Sequence, residues 1–241
     1  DQVWMAENLK VSKYRDGTTI STGHSNSEWE NLSAGGYTAY DGNQSYSDTY
    51  GYLYNWYAVT DTKNIAPSGW HMPTDAEWTT LTTYLGGESI AGGKLKETGT
   101  EHWDDPNTGA TNETGFTALP SGYRDGSGMG GNYSGIGTTG YFWPSTESSS
   151  SLAFYRRIIN SSFGVHRGID YKQFGFSVRC VRDGASLAGS DKDYLNESSQ
   201  LIIGWSASAD ASGLVNYEYA LGTTSGGTET IDWTSTGTTS G

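Results

Sequence analysis

The clearest hydrophobic pattern in the chain predicts a helix that begins just after Thr74. Thr74 and Glu77 have the spacing of a capping box, in which each side chain accepts a hydrogen bond from the other residue's backbone N–H. Trp78, Leu81 and Leu85 then recur at helical spacing, so we expect one apolar face of this helix to be buried. A glycine follows directly and can supply a left-handed stop, so the helix is expected to end there.

Elsewhere the pattern predicts short elements and few helices. We expect a second capping box, formed by Ser27 and Glu30, around Trp29 and Leu32. The aromatic run at 50–57 fits a short helix or a strand, and we favour the helix. The strand-like segments lie at residues 3–9, 141–143, 153–159 and 176–181. Loops rich in glycine, serine and threonine separate them, and the expected fold class is therefore α+β.

The composition changes sharply after the first domain-sized stretch. Residues 1–183 have the length of one globular domain, and residues 184–192 are small and polar, as in a flexible linker. Residues 193–241 contain two further strand-like segments, at 201–205 and 215–221. About 50 residues are too few for a β-sandwich of roughly 100. We therefore expect a partial sandwich, completed further along a longer chain or by a neighbouring chain.

Composition and charge indicate what forms the core and which binding partners are disfavoured. Apolar residues make up only 34% of the chain but aromatic residues 13%, so burial must rest on large rings. The formal net charge of -13 disfavours nucleic acid and anionic membranes as partners. No apolar run approaches the ~18 residues that a transmembrane helix needs. The chain opens at Asp1 without a signal peptide, which is the pattern of a processed or partial sequence.

Seven motifs together resemble the Fibrobacter succinogenes major paralogous domain, a bacterial module related to the formylglycine-generating-enzyme family. They lie at residues 4–9, 54–57, 69–78, 95–97, 115–120, 142–143 and 175–183. The resemblance implies a C-type-lectin-like fold, a secreted or surface-displayed protein and no assigned activity. The tail from about Asp193 resembles the leading half of a fibronectin type III-like module, through Trp205 and the strand at 217–219.

The catalytic features of formylglycine generation are missing from the sequence. That chemistry requires two cysteines, and Cys180 is the single cysteine of the chain, so it can form no intrachain disulfide and no cysteine-rich zinc site. Its position matches a structural one in the related family, and we expect it to be buried and inert. The four histidines lack the pairing that holds zinc, and His71 is expected to be a core or capping residue.

A turn-rich loop at 104–113 is the candidate metal site. Hard oxygen donors suit calcium, which accepts 6–8 oxygen ligands with tolerant geometry, and the related proteins are implied to use calcium structurally. The predicted ligands are Asp104, Asp105, Asn107 and Asn112. The alternative is a loop of Asx turns that is merely solvated.

The candidate ligand surface lies in the last third of the domain. Strand alternation over 153–159 places Arg156 and Arg157 on opposite faces, so one arginine is expected to face outward. Aromatic and arginine side chains dominate binding hot spots, and the alternative is that they only fill the core or are solvated. The predicted ligand-binding residues are Trp143, Tyr155, Arg157, Asn160, His166, Arg167 and Tyr171.

Three functions remain open from the sequence. The favoured one is a non-enzymatic, extracellular or cell-surface modular protein for adhesion, binding of a glycan or protein ligand, or assembly of a surface layer or filament. The second is an enzyme related to formylglycine generation or glycan processing. The third is a structural subunit that polymerises through its incomplete C-terminal module.

Overall fold

The structure is a computed structural model that describes residues 2–183 with their side chains, and the backbone of two further strands at 202–209 and 215–222. The predicted linker at 184–192 lies outside the described residues. The described fold is α+β, with short helices in the first half of the domain and the larger strands in the second, as the sequence predicted. No helix in this described part is both long enough and apolar enough to cross a membrane.

Five short α-helices and a 3-10 turn precede the main sheet. The turn covers Tyr40–Gly42. The helices are α1 (Asn26–Glu30), α2 (Gln44–Tyr50), α3 (Trp56–Val59), α4 (Asp75–Tyr84) and α5 (Glu88–Leu95).

The strands form one five-stranded sheet and several two-stranded ones. The first three strands are β1 (Tyr37–Thr38), β2 (Leu53–Tyr54) and β3 (Trp70–His71). The main sheet has the order β5-β4-β6-β7-β8. Its strands are β4 (Ser121–Arg124), β5 (Tyr133–Ile136), β6 (Thr139–Phe142), β7 (Leu152–Ile159) and β8 (Val165–Tyr171). The last strand of the domain, β9 (Val181–Arg182), pairs antiparallel with β3 and so brings the end of the domain against its middle.

The predicted helix at 74–85 is confirmed. Thr74 and Glu77 form both hydrogen bonds of the capping box, and Leu85 is the C-cap of α4. Gly86 has a positive φ of 96°, as the left-handed stop requires. Trp78 is fully buried, so the apolar stripe faces the core.

Two predictions about the first half of the domain were wrong in detail. The capping box of α1 uses Ser25 and Glu28, not Ser27 and Glu30. The run at 50–57 is not one helix. Helix α2 ends at Tyr50, strand β2 follows, and helix α3 begins at Trp56. Gly51 ends α2 with a positive φ of 73°, and a Cβ at this position would also collide with Asn8 and the carbonyl of Leu9, so the turn requires glycine.

Two predicted strands are shorter than expected. The segment at 3–9 is not a continuous strand: it forms one isolated bridge, from Trp4 to Val181. The segment at 176–181 changes partners along its length, since Phe176 bridges to Tyr54 and the next residue to Phe142. A segment that pairs with a different strand at each residue does not form a continuous ladder.

The core is aromatic, as the composition predicted. One cluster contains Trp4, Trp78, Phe116 and Phe142, with Trp4 and Trp78 in edge contact at 4.7 Å. The second cluster contains Tyr54, Trp143 and Phe176 among its members.

Three cationic side chains are also fully buried, and each is held by many acceptors. They are Lys96, Arg156 and Arg179. Lys96 donates to the carbonyls of Thr108, Ile159, Asn160 and Ser162 at 2.8–3.3 Å.

Helix α5 approaches its neighbours closely through two glycines. A Cβ at Gly92 would collide with the carbonyl of Gly164, and one at Gly93 with the carbonyl of Gly109. The helix therefore lies against bare backbone on two sides, a contact that no residue with a side chain permits.

The two predicted strands of the tail are present and pair with each other. Strands β10 (Ile202–Ala209) and β11 (Val215–Gly222) are antiparallel, in register from Ile202 opposite Gly222 to Ala209 opposite Val215. Within the described residues they form a two-stranded sheet.

Candidate ligand-binding face

One face of the main sheet collects tyrosines and charged groups from four strands. Tyr141 on β6 lies opposite Arg157 on β7, and Arg157 lies opposite His166 on β8. Because directly paired residues share a face and alternate residues repeat it, these side chains form one surface. We call it the tyrosine face; its residues are Tyr123, Tyr141, Tyr155, Arg157, His166 and Asp170.

The tyrosine rings of this face contact one another and rest on a buried aromatic layer. Tyr141 is central, with its ring centroid 5.1 Å from that of Tyr123 and 5.4 Å from that of Tyr155. Behind it, Phe176 stacks on Tyr141 at 4.6 Å with an interplanar angle of 16°. The central ring is therefore fixed in position, while Tyr123 and Tyr141 stay partly exposed.

The hydroxyls of Tyr141 and Tyr155 remain protonated at physiological pH. Burial raises the pKa of both Tyr141 and Tyr155 above the ordinary tyrosine value. Each hydroxyl can therefore both donate and accept a hydrogen bond.

A glycine on β8 makes room for one of the rings. Tyr155 lies opposite Gly168, and a Cβ at that glycine would stand 2.6 Å from the Tyr155 hydroxyl oxygen. Tyr155 therefore lies across β8 and reaches His166, at 5.9 Å between ring centroids. It is only 8% exposed and forms the floor of the face rather than its rim.

The two arginines of β7 have opposite environments, as the alternation predicted. Arg156 is fully buried on the other face, where it donates to Asp75 at 2.9 Å and to Glu88 at 2.6 Å. Arg157 is partly exposed and lies over the ring of Tyr141, with its guanidinium carbon 5.9 Å from the centroid. Its Nε is buried without a hydrogen-bond partner.

An acidic group closes the other end of the face. Asp170 is partly buried, and burial followed by the negative charge of Asp125 raises the pKa of its carboxyl group. One of its oxygens accepts a hydrogen bond from the backbone N–H of Tyr171 at 3.0 Å. The carboxylate is an acceptor, so this end of the face suits a ligand that presents hydroxyl donors.

Three of the seven predicted ligand-binding residues meet on this face: Tyr155, Arg157 and His166. Trp143 instead lies in the core with no exposed surface, where its indole N–H donates to the carbonyl of Tyr54 at 3.0 Å.

The other three predicted residues lie elsewhere. The Asn160 amide donates to the backbone carbonyls of Asp104 and Asp105, so it holds a loop. Arg167 and Tyr171 alternate with His166 and therefore lie on the opposite face of β8. There Arg167 binds both carboxylate oxygens of Asp75, at 2.9–3.0 Å.

Three members of the face were not predicted from the sequence: Tyr123, Tyr141 and Asp170. Tyr141 belongs to the predicted strand at 141–143, and its alternation with buried Phe142 is the signal that points it outward. Tyr123 and Asp170 carried no local signal, because strands β4 and β8 were not predicted.

The predicted calcium loop shows no converging set of free oxygens. The amide of Asn107 donates to the carbonyls of Glu97 and Gly99, and Asn112 exchanges hydrogen bonds with Thr117. Among residues 2–183, no three histidine, cysteine or acidic side chains are grouped so that they could hold a metal ion. Calcium binding at Asp104, Asp105, Asn107 and Asn112 stays a prediction.

Cys180 is buried, as expected. Its sulfur lies 4.0 Å from that of Met72, and burial raises the pKa of the thiol far above its ordinary value.

The geometry thus defines a loop-rich α+β domain with an aromatic core and a partly exposed, tyrosine-lined sheet face. The family profile of the Fibrobacter succinogenes major domain matches residues 1–182, and the chain belongs to that family. The resemblance expected from the seven motifs is therefore confirmed. Comparison with curated proteins and with solved structures gave no match. The relation to formylglycine-generating enzymes and the fibronectin type III-like tail stay predictions.

Proposed function

We propose that this protein is a non-enzymatic, extracellular or cell-surface module that binds a glycan through its tyrosine face. The observation that carries the proposal is the position of Tyr141, a partly exposed ring fixed by Phe176 and flanked by Arg157. Binding sites combine aromatic surface with a few polar groups that fix orientation. Here the rings offer flat apolar contact for a sugar ring, and the rim offers both a cation and hydrogen-bond acceptors.

Glycan binding by a pre-formed face fits the arrangement of its aromatic and polar groups. One row across the sheet contains Tyr123, Tyr141, Arg157 and His166. Tyr155 lies in the next row, and Asp170 lies beyond it along β8. Tyrosine contributes large contact area at low cost in conformational entropy and keeps a polar hydroxyl. Such a face binds without closing over the ligand.

The enzymatic alternative has less support from the described residues. A cysteine nucleophile must be a thiolate that substrate can reach. Cys180 is buried with a raised pKa, so it satisfies neither condition. Assays of thiol oxidation and of glycan hydrolysis on the purified protein test this alternative, and turnover would support it.

The experiment for glycan binding is a panel of soluble oligosaccharides measured by calorimetry with the wild type and Tyr141→Ala. We expect binding by the wild type and at least a tenfold loss in the variant. The matched control is Tyr84→Ala, which removes a tyrosine that is 72% exposed on α4 and should change nothing. Equal binding by wild type and Tyr141→Ala, or no binding to any glycan, would contradict the proposal.

Self-assembly through the C-terminal strands is a second candidate. The supporting observation is that β10 and β11 form a sheet of two strands within the described residues. A lone hairpin is marginally stable in water, and its edges invite pairing with another strand. Sedimentation of the intact chain and of a variant lacking residues 193–241 tests this. Oligomers that resist dilution and vanish on the deletion would support it, whereas a monomeric intact chain would contradict it.

We also keep structural calcium as a proposal for the loop at 104–113. The supporting observation is that the Oδ1 of Asn107 is buried without a hydrogen-bond partner, and a cation is one group that could satisfy it. A chelator added to calcium-loaded protein should lower the melting temperature. An unchanged melting temperature would contradict the proposal.

A further inference from the structure

The charge on Arg157 is not neutralised within the described part of the chain. The cross-strand neighbour of Arg156, Arg167, binds a carboxylate, and Arg156 binds two. Arg157 has the ring and the hydroxyl of Tyr141 as its neighbours. Its Nε is buried without a hydrogen-bond partner, and the ion pairs of the arginines and lysines among residues 2–183 do not include it. A partly buried guanidinium without an anion is costly unless a ligand supplies one.

The ends of the tyrosine face differ in charge. His166 lies opposite Arg157, whereas Asp170 lies four residues further along β8, which is ~13 Å at the usual rise of a strand. Tyr155 lies between them along the strands, and Tyr141 lies opposite Arg157 with its ring centroid 5.4 Å from that of Tyr155. The face therefore has a cationic end, an aromatic middle and an acceptor end, on the length scale of two sugar units.

From this arrangement we infer that the ligand is an acidic saccharide whose carboxylate binds Arg157 while its hydroxyls face Asp170. The inference rests on the proposed function and specifies its substrate class. A planar guanidinium matches a carboxylate with two parallel hydrogen bonds. The neighbouring sugar ring then lies on Tyr141, and the Asp170 carboxylate accepts from hydroxyls at the far end. A neutral sugar would leave Arg157 without its anion.

General electrostatic attraction does not account for such binding. The chain carries a formal net charge of -13, so it repels polyanions at long range. Recognition of an acidic sugar must come from the local geometry of this one arginine. Binding should therefore be specific for the position of the carboxylate rather than for total charge.

The test uses uronic-acid oligosaccharides and the same oligosaccharides with their carboxyl groups reduced to alcohols. We expect the wild type to bind at least one acidic oligosaccharide tenfold or more tightly than its reduced counterpart. Arg157→Met should abolish that preference but retain weak binding, since Tyr141 remains. Arg157→Lys keeps the charge without the planar fork and should retain only part of the preference.

Arg167→Met is the matched control, because Arg167 is an exposed arginine on the opposite face of the sheet. It should leave the preference unchanged, and thermal melts of all variants show that they are folded. Equal affinity for acidic and reduced oligosaccharides, or a preference that survives in Arg157→Met, would overturn the inference while leaving glycan binding intact. If a sulfated oligosaccharide binds through Arg157 and the uronates do not, the ligand is still an acidic saccharide. The part of the inference that assigns a carboxylate to Arg157 would then be overturned. Absence of binding to every oligosaccharide would overturn the proposed function itself.

Discussion

His71 and Asp183 join the middle of the domain to its last described residue. The Nδ1 of His71 lies 2.7 Å from an oxygen of Asp183, and its Nε2 lies 2.7 Å from an oxygen of Glu77. A neutral imidazole has one N–H, so bonding two ionised carboxylates at once requires the doubly protonated form. The prediction that His71 is a core or capping residue is correct in part: it is partly exposed, and it contacts the capping glutamate.

The contacts of His71 with Glu77 and Asp183, which we call the His71 clamp, predict that stability depends on pH. Burial lowers the pKa of His71, but the hydrogen bonds and charges of Glu77 and Asp183 outweigh it, so the pKa is raised above its ordinary value. The stabilisation is therefore complete below about pH 6.5 and is lost as the pH rises through the folded-state pKa. As the pH rises above about 6.5, melting temperatures of the wild type should fall more steeply than those of His71→Gln. Parallel curves for the two proteins would refute the clamp, and His166→Gln, at an exposed histidine, is the control.

The capping box of α4 should contribute measurably to stability. Thr74→Ala removes the side-chain oxygen that accepts from the Glu77 N–H, and we expect a loss of about 1 kcal/mol in the free energy of unfolding. Thr80→Ala, at an exposed position within the same helix, should be neutral or slightly stabilising. Urea denaturation measures both, and equal values would argue against the cap.

Burial should decide how much each of the two arginines that bind Asp75 contributes to the free energy of unfolding. Arg156 and Arg167 are cross-strand neighbours, but the Arg156 side chain is 0% exposed and that of Arg167 is 40% exposed. Arg156→Met should cost about 3 kcal/mol, because buried charged hydrogen bonds are lost. Arg167→Met should cost less than about 1 kcal/mol. Chemical denaturation of the two variants checks the order, and the reverse order would contradict this account.

Lys96 should stabilise the protein by linking two loops, one at Thr108 and one at residues 159–162. Burial lowers its pKa to about 8, so the ammonium keeps its proton at pH 7 and donates to four carbonyls. Lys96→Met removes this shared donor from the four carbonyls, of which those of Ile159 and Asn160 keep a backbone donor, and should cost about 3 kcal/mol. Lys94→Met, which breaks a surface pair with Glu113, should cost less than about 1 kcal/mol. Similar unfolding free energies for the two variants would contradict this role of Lys96.

Gly93→Ala should destabilise the protein even though alanine favours helices. In an exposed helix this change stabilises by about 1 kcal/mol. Here the new Cβ would collide with the carbonyl of Gly109, so we expect a loss of about 2 kcal/mol by overpacking. Ser89→Ala, exposed on the same helix, is the control. Thermal melts of both variants measure the change in stability, and a stabilised Gly93→Ala would disprove the close contact.

Local signals were predictable from the sequence and non-local ones were not. The box at Thr74 was found because its bonds span three residues. Around Trp29 two overlapping frames, Ser25 with Glu28 and Ser27 with Glu30, fit the same rule. The structure uses the first frame, in which Trp29 is buried under the guanidinium of Arg124 and Glu30 is free to accept from the N–H of Gly130.

The tyrosine face shows the same division. Alternation along β7 correctly separated Arg156 from Arg157, because that signal lies within one strand. Tyr123 and Asp170 were missed because their places depend on pairing between strands distant in sequence. Trp143 was predicted at the surface from its residue type, but burial is set by what packs over a ring, here Phe176 at 4.3 Å.

The alternation along β7 also makes this domain a practical scaffold for engineering. Ile158 and Arg156 maintain folding, while their neighbour Arg157 is left out of the core's ion pairs. A combinatorial library that randomises Arg157, His166 and Asp170 would therefore change the chemistry of this face with little loss of folded protein. New specificities could be selected on one invariant framework.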